Sequence, residues 1–222
     1  MVDKGEILEK YKLEIQKYTK EQNKLVKTLE LKDTKNIKEI EKIGAIENIF
    51  IKNKIISGII VCNKDFEILE QQYYQDFVKF PYIPGFRAYR ELPAMLEAFN
   101  KLEEKPEIIL IQGHGTLHPR LGLASHFSLA ANVPSIGVSS KLILGEEDKQ
   151  GYILIDKKKR GKSIKIKQGA NPVYISPGNH ISLDSAAELI ESLIKPTHKM
   201  PEPLRLAKKY TREIRDELAI QE

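Results

Sequence analysis

Four consecutive apolar residues, Ile108, Ile109, Leu110 and Ile111, stand between Lys105-Pro106 and Gly113. A run without alternation predicts a strand buried on both faces of a sheet, which confines the chain to folds that cover the sheet on each side. Position 112 then lies at the C-terminal edge of that strand. Ligands of open α/β sheets bind outside this edge, and glycines at 113 and 115 permit a tight turn and close backbone approach. A Gly-x-Gly step alone also fits a simple turn. Here it leads into a loop carrying His114, His118, Arg120 and His126. The residue at the edge itself is Gln112, a neutral amide where a metal-dependent enzyme would most usefully place a carboxylate.

At 222 residues the chain can bury one sizeable core, and no linker or internal repeat divides it, so one domain over 1–222 is expected. No run of about 18 apolar residues exists, and the N-terminus lacks a basic start followed by an apolar core, which disfavours a membrane span and secretion. Cys62 is the single cysteine; it permits no internal disulfide and suits the cytoplasm. A net charge of +5 permits nucleic-acid binding without requiring it. Its distribution says more. Lys157, Lys158, Lys159, Arg160, Lys162, Lys165 and Lys167 crowd a segment that reads as strand, turn and strand, with Ile164 and Ile166 alternating against lysines. One face of that hairpin should be basic, either as a solvated turn or as a contact for phosphates.

Residues 4–30 carry Ile7, Leu8, Tyr11, Ile15, Tyr18, Leu25 and Leu29 at roughly helical spacing, which predicts an amphipathic helix packed on the domain or on a protein partner. Strands are expected from Ile43 to Ile51, Ile55 to Asn63 and Phe66 to Phe77, joined by the polar turns Lys52-Asn53-Lys54 and Lys64-Asp65 as an antiparallel meander. After Pro93 the pattern becomes a helix from about Ala94 to Leu102, the strand to Ile111, a helix near Leu121 to Ala131 and a strand from Ser135 to Val138. The lysine hairpin, a strand from Val173 to Ser176, a helix from Asp184 to Ile194 with Ser182 as N-cap, and a helix from Leu204 to about Leu218 complete it. Three antiparallel strands followed by alternating helices and strands make an α/β mixed sheet.

Five separated blocks carry a resemblance: PYIPGFRAYRELP from Pro81 to Pro93, GHGTLHPRLGLASH from Gly113 to His126, PSIGV from Pro134 to Val138, SPGNHISLDSA from Ser176 to Ala186, and PEPLRLA from Pro201 to Ala207. In this order the chain resembles endonuclease V, over roughly residues 41–208. The resemblance implies a ribonuclease H-like fold and recognition of inosine, the deaminated form of adenine, in DNA or RNA. It implies metal-dependent cleavage of a nearby phosphodiester, with Mg²⁺ or Mn²⁺ held by oxygen ligands.

Carried over position by position, the implied metal ligands fall on Glu47, Glu91 and Gln112. Glu91 keeps its place in Arg90-Glu91. Glu47 is one methylene longer than the family's aspartate, and Gln112 replaces another. A ligand displaced by about 1 Å can cost on the order of 100-fold in rate, so weak metal binding is expected. The family's histidine after Ser-x-Gly falls on Asn179, and its lysine after Gly-Val-Ala falls on Ser140. Asn exchanges no proton near neutral pH and Ser brings no cation. His180 and Lys141 adjoin these positions one residue out of register, where extended chain faces the other way. His114 and His118 are expected to organise backbone.

The implied nucleic-acid surface is more complete. Pro81, Tyr82, Ile83, Pro84 and Gly85 match a wedge that enters beside the lesion, two prolines stiffening a loop whose aromatic can replace a stacked base. Gly113, Gly115, Gly122 and Gly178 would line a pocket for hypoxanthine, and Arg120, with Lys158 and Arg160 of the hairpin, would meet phosphate. Three functions follow: an inosine-recognising relative with cleavage weakened or lost, an active inosine-specific endonuclease, or a structural subunit.

Overall fold

The computed structural model of the protein describes residues 4–165, 171–195 and 197–220. Strands β1 (Ile43–Ile51), β2 (Lys54–Cys62) and β3 (Ile68–Phe77) form the expected antiparallel meander. Strands β4 (Ile108–Gln112) and β5 (Ser135–Ser139) then add parallel to β1. Strands β6 (Glu146–Glu147), β7 (Tyr152–Ile155), β8 (Lys158–Ile164) and β9 (Val173–Asn179) complete a nine-stranded mixed sheet of order β3-β2-β1-β4-β5-β9-β8-β7-β6. The helices are α1 (Lys4–Lys10), α2 (Lys12–Leu25), α3 (Arg87–Asn100), α4 (Leu123–Ala131), α5 (Leu183–Ser192) and α6 (Glu202–Ile220). None of those described is long and apolar enough to cross a membrane.

Helices cover both faces, as the unalternating β4 run requires. Ile43, Ala45, Ile108 and Leu110 pack with α5 and α6, while Ile46, Ile109 and Ile111 pack with α3 and α4. Because side chains alternate along a strand, Glu47 and Gln112 continue the first set and lie on the α6 side.

Helix α3 begins at Arg87, not near Ala94 as the proline pattern suggests, and it runs through Pro93. An interior proline costs about 3 kcal/mol. Burial of Met95 and Phe99, with Ala94 and Ala98 beside them, exceeds that at roughly 1.5–3 kcal/mol for each large side chain. The earlier start puts Arg87 and Glu91 one turn apart on the same helix. Helix α6 likewise starts at Glu202 rather than Leu204, since a proline is tolerated in a first turn. Strand β9 extends to Asn179 through Pro177-Gly178, with a register irregularity at Ser135/Ile136.

The expected helix over 4–30 is divided at Tyr11 and ends at Leu25, before a 3₁₀ turn at Val26–Thr28. Its apolar face is covered by this chain itself. Tyr11, Ile15 and Tyr18 pack on Phe80, Ile83 and Phe86, so this face leaves little for a protein partner. The side chains of Ile7 and Leu8 lie outside the described residues, as do Ile166 and Lys167.

Candidate reaction centre and nucleic-acid interface

The parallel register pairs Ile46 with Ile111, so the next residues, Glu47 and Gln112, sit side by side. With its amide nitrogen turned to the carboxylate, the orientation that satisfies both ends, Gln112 donates to both Glu47 oxygens, at 3.0 Å to Oε1 and closer to Oε2. Glu47 is only 8% exposed. Burial pushes its carboxyl up to about 7, against the pull of Lys208, then of Arg87, with the Glu91 charge adding to the rise and Arg212 opposing it.

Glu91 is held on both oxygens. Arg87 Nε donates to its Oε1 at 2.5 Å and Asn48 Nδ2 donates to its Oε2 at 2.8 Å, while Arg87 Nη1 donates to the Gln112 carbonyl at 2.9 Å. A guanidinium thus lies beside Glu91 and the end of β4, where the sequence resemblance led metal ligands to be expected. Among the described residues no group of three or more His, Cys, Asp or Glu is arranged to hold a metal ion. The side chains present do not fit a Mg²⁺ or Mn²⁺ centre: the third ligand is an amide that donates a hydrogen bond, and Glu91 is already paired with a fixed cation.

A carboxyl whose folded-state pKa is raised contributes most when protonated in both states, below about pH 4.5, and its contribution falls as pH rises through 7. Glu47→Gln is therefore expected to raise the urea midpoint at pH 8 relative to the parent and to lose that advantage at pH 5. Equal effects at both pH values would contradict a strained, buried Glu47.

Ahead of α3, Pro84 and Gly85 form a type II turn closed by Phe86 N–H donating to the Ile83 carbonyl at 3.0 Å, with Gly85 at φ +84°. Ile83 is buried under α2, and Tyr82 is left 66% exposed at the tip, with Pro81 half-buried and Pro84 exposed. Arg120 turns inward to this loop. Its Nε donates to Gln22 Oε1 at 2.6 Å, its Nη2 donates to the Gly85 carbonyl at 3.3 Å, and its guanidinium stacks 4.7 Å from the Phe86 ring centre. Buried Gln22 also donates to the Gly85 carbonyl at 3.0 Å, so α2 and Arg120 together brace this turn.

The loop after β4 is folded tightly on β9. A Cβ on Gly115 would fall 2.0 Å from the Pro177 carbonyl oxygen, one on Gly122 2.1 Å from that of His114, and one on Gly178 1.8 Å from Ser135 Oγ. These glycines therefore allow close packing of the loop on β9 and on itself. The neighbouring cleft is lined by Gly85, Arg87, Ala88, His114, His118 and Leu121, together with Leu123. His114 Nε2 meets the Lys141 carbonyl at 2.9 Å, and His118 Nδ1 accepts from Arg120 N–H at 3.1 Å. Burial depresses both imidazoles, His118 to about 4, so they are neutral near pH 7.

Ser140 and Lys141 follow β5 at the Gln112 edge, both exposed, the Lys141 backbone pinned by His114. Asn179 and His180 are elsewhere. Ile109 pairs with Ser135, and Ser135 with Asn179, whereas Gln112 pairs with Val138. Asn179 thus sits about 10 Å back along the strands, at ~3.3 Å per residue. There its Oδ1 accepts from Glu30 N–H at 2.7 Å, and His180, at φ +57°, donates its backbone N–H to the Glu30 carbonyl. The motif's proline, glycine and strand irregularity set a register that motif matching alone does not reveal.

The hairpin of β7 and β8 turns at Asp156-Lys157, both with positive φ, a type I′ geometry. Lys157, Lys158 and Lys159 are exposed, and Lys159 Nζ stands 3.5 Å from the Tyr152 ring centre. Thr116 Oγ1 donates to the Arg160 carbonyl at 2.5 Å, tying this basic surface to the loop beside the reaction centre.

Sequence reasoning passed over Arg87, Asn48, Lys208, Arg212 and Gln22. An i,i+4 Arg-Glu spacing was the one available signal, hidden by the proline that follows it. A mixed sheet bearing Glu47 on its first strand, Gln112 at the end of the adjoining parallel strand and Glu91 on the helix that follows the Pro84-Gly85 turn defines a ribonuclease H-like domain of the nuclease kind. The chain belongs to the endonuclease V family, whose sequence pattern it matches over residues 23–209. Endonuclease V of Thermosipho melanesiensis is 35% identical over 182 residues, 78% of this chain and 80% of that protein. The solved endonuclease V of Bacillus subtilis superposes with a TM-score of 0.85 at 27% identity, covering 93% of this chain and 94% of that one. Endonuclease V of Ciona intestinalis, solved with a 24mer DNA containing an inosine followed by a ribo-adenosine, shares the fold with a TM-score of 0.84 at 20% identity, covering 92% and 99%.

Proposed function

We propose that this protein recognises inosine in DNA or RNA in the cytosol and that its metal-dependent phosphodiester cleavage is weakened or lost. The observation that carries this reading is the closed pair of contacts at the reaction centre, Gln112 to Glu47 and Arg87 to Glu91. Recognition is supported by what is kept: an exposed Tyr82 on a braced turn, and a lysine-rich hairpin tied to the adjacent loop. The inosine-containing strand bound by the Ciona relative is the ligand chemistry such a surface would take. A second reading, an active inosine-specific endonuclease using Mg²⁺ or Mn²⁺, draws on family membership and on the adjacency of Glu47, Gln112 and Glu91.

Binding is expected to weaken with rising salt, because lysines that neutralise phosphates release counterions. Replacing Lys157, Lys158, Lys159 and Arg160 with Ala should weaken binding to inosine and ordinary strands alike and flatten the salt dependence. Tyr82→Ala should mainly reduce the preference for inosine, by about 1–3 kcal/mol if the ring stacks on a base. Fluorescence anisotropy on matched strands separates the two. Affinity unaffected by either change would favour a structural subunit.

A further inference from the structure

We infer that Arg87 is a built-in cation that takes the place of the divalent ion, so that the former metal centre accepts a phosphodiester oxygen directly and without metal. Resting on the inosine-recognition reading, this adds how the reaction centre engages the strand. The geometry is specific. Nε and Nη1 of Arg87 are fixed by Glu91 and the Gln112 carbonyl, and no other hydrogen-bond partner engages Arg87 among the described residues. The side chain is 39% exposed while Glu91 is 3% exposed, so the carboxylate anchors the guanidinium from below and leaves its remaining N–H groups toward the cleft shared with His114 and His118. A planar fork held in this way suits a phosphate oxygen. Lys208 and Arg212 of α6 act on Glu47 together with Arg87, so three cations bear on its carboxylate. Such surroundings repel a divalent ion and attract an anion.

Two measurements on the full chain test this. Manganese uptake is followed by loss of the free Mn²⁺ electron paramagnetic resonance signal, and strand binding by anisotropy in EDTA. The parent should leave millimolar Mn²⁺ free and bind strands equally well with EDTA or Mn²⁺. Arg87→Gln should weaken EDTA binding by about tenfold, the scale of one hydrogen bond to a charged group, and Arg87→Lys should recover part of it. The double variant Arg87→Gln with Glu91→Gln removes the pair together; it leaves no orphaned charge and should show the same loss. Stoichiometric Mn²⁺ uptake by the parent, or unchanged EDTA binding in the folded double variant, would overturn the inference. Loss of tenfold affinity for inosine and adenine strands alike, in a parent with no inosine preference, would uphold Arg87 and reject the inosine reading. A parent that binds neither strand would reject both.

Discussion

Replacing Arg87 with Leu together with Glu47→Asp, Gln112→Asp and Ser140→Lys is expected to raise cutting of an inosine strand in Mn²⁺ by at least about 100-fold over the parent. The four changes restore carboxylate reach and charge, add a cation at the β5 edge and remove the one that occupies the centre. Asn179 is left alone, because the β5–β9 register places it at the other end of the strand from Gln112. The same variant with Arg87 retained should stay near the parent, since the guanidinium still holds Glu91, and single changes should do little where residues act as a unit. Glu91→Ala in the active variant should abolish cutting. Gel analysis of a labelled strand reads all of these; activity that appears without the Arg87 change would show that Arg87 does not close the site.

Gly115→Ala is expected to cost at least about 3 kcal/mol of stability and to loosen the loop that supports the cleft, because its new methyl would stand 2.0 Å from one backbone atom and 2.6 Å from another, both of Pro177. Both atoms are backbone, which cannot swing aside as the end of a flexible side chain can. Gly113→Ala meets only Arg87 Nη1 at 3.2 Å and the Leu123 side chain at 3.5 Å, so its cost should stay below about 1 kcal/mol. Urea unfolding of the two variants gives the comparison directly. Similar midpoints would mean that the Gly-His-Gly segment is not held by close packing on β9.

The strands were legible because their signals are local. The β1 run, the doubly buried β4 and the polar turns between meander strands all follow from alternation and turn chemistry, and β1 and β4 carried Glu47 and Gln112 into place with them. Glu91 was legible through its motif. Arg87 was not, since a proline six residues on made the preceding turn look non-helical, and the burial of Met95 and Phe99 that overrides it is a tertiary effect. Lys208 and Arg212 act on Glu47 through their charge from α6, more than 150 residues away in sequence, an influence without any trace in residue spacing. The place of Asn179 was not legible either. Its motif carries no sign of the β5–β9 register, which sets it at the opposite end of β5 from the Gln112 edge.

The most direct test of the account mixes excess purified protein with a 5′-labelled inosine strand in Mn²⁺ and follows binding and cleavage in the same sample under single-turnover conditions. The expected result is a bound complex, salt-sensitive and selective for inosine, in which the strand stays whole over hours. Cleavage of the bound strand at the rate of an ordinary family member would contradict it.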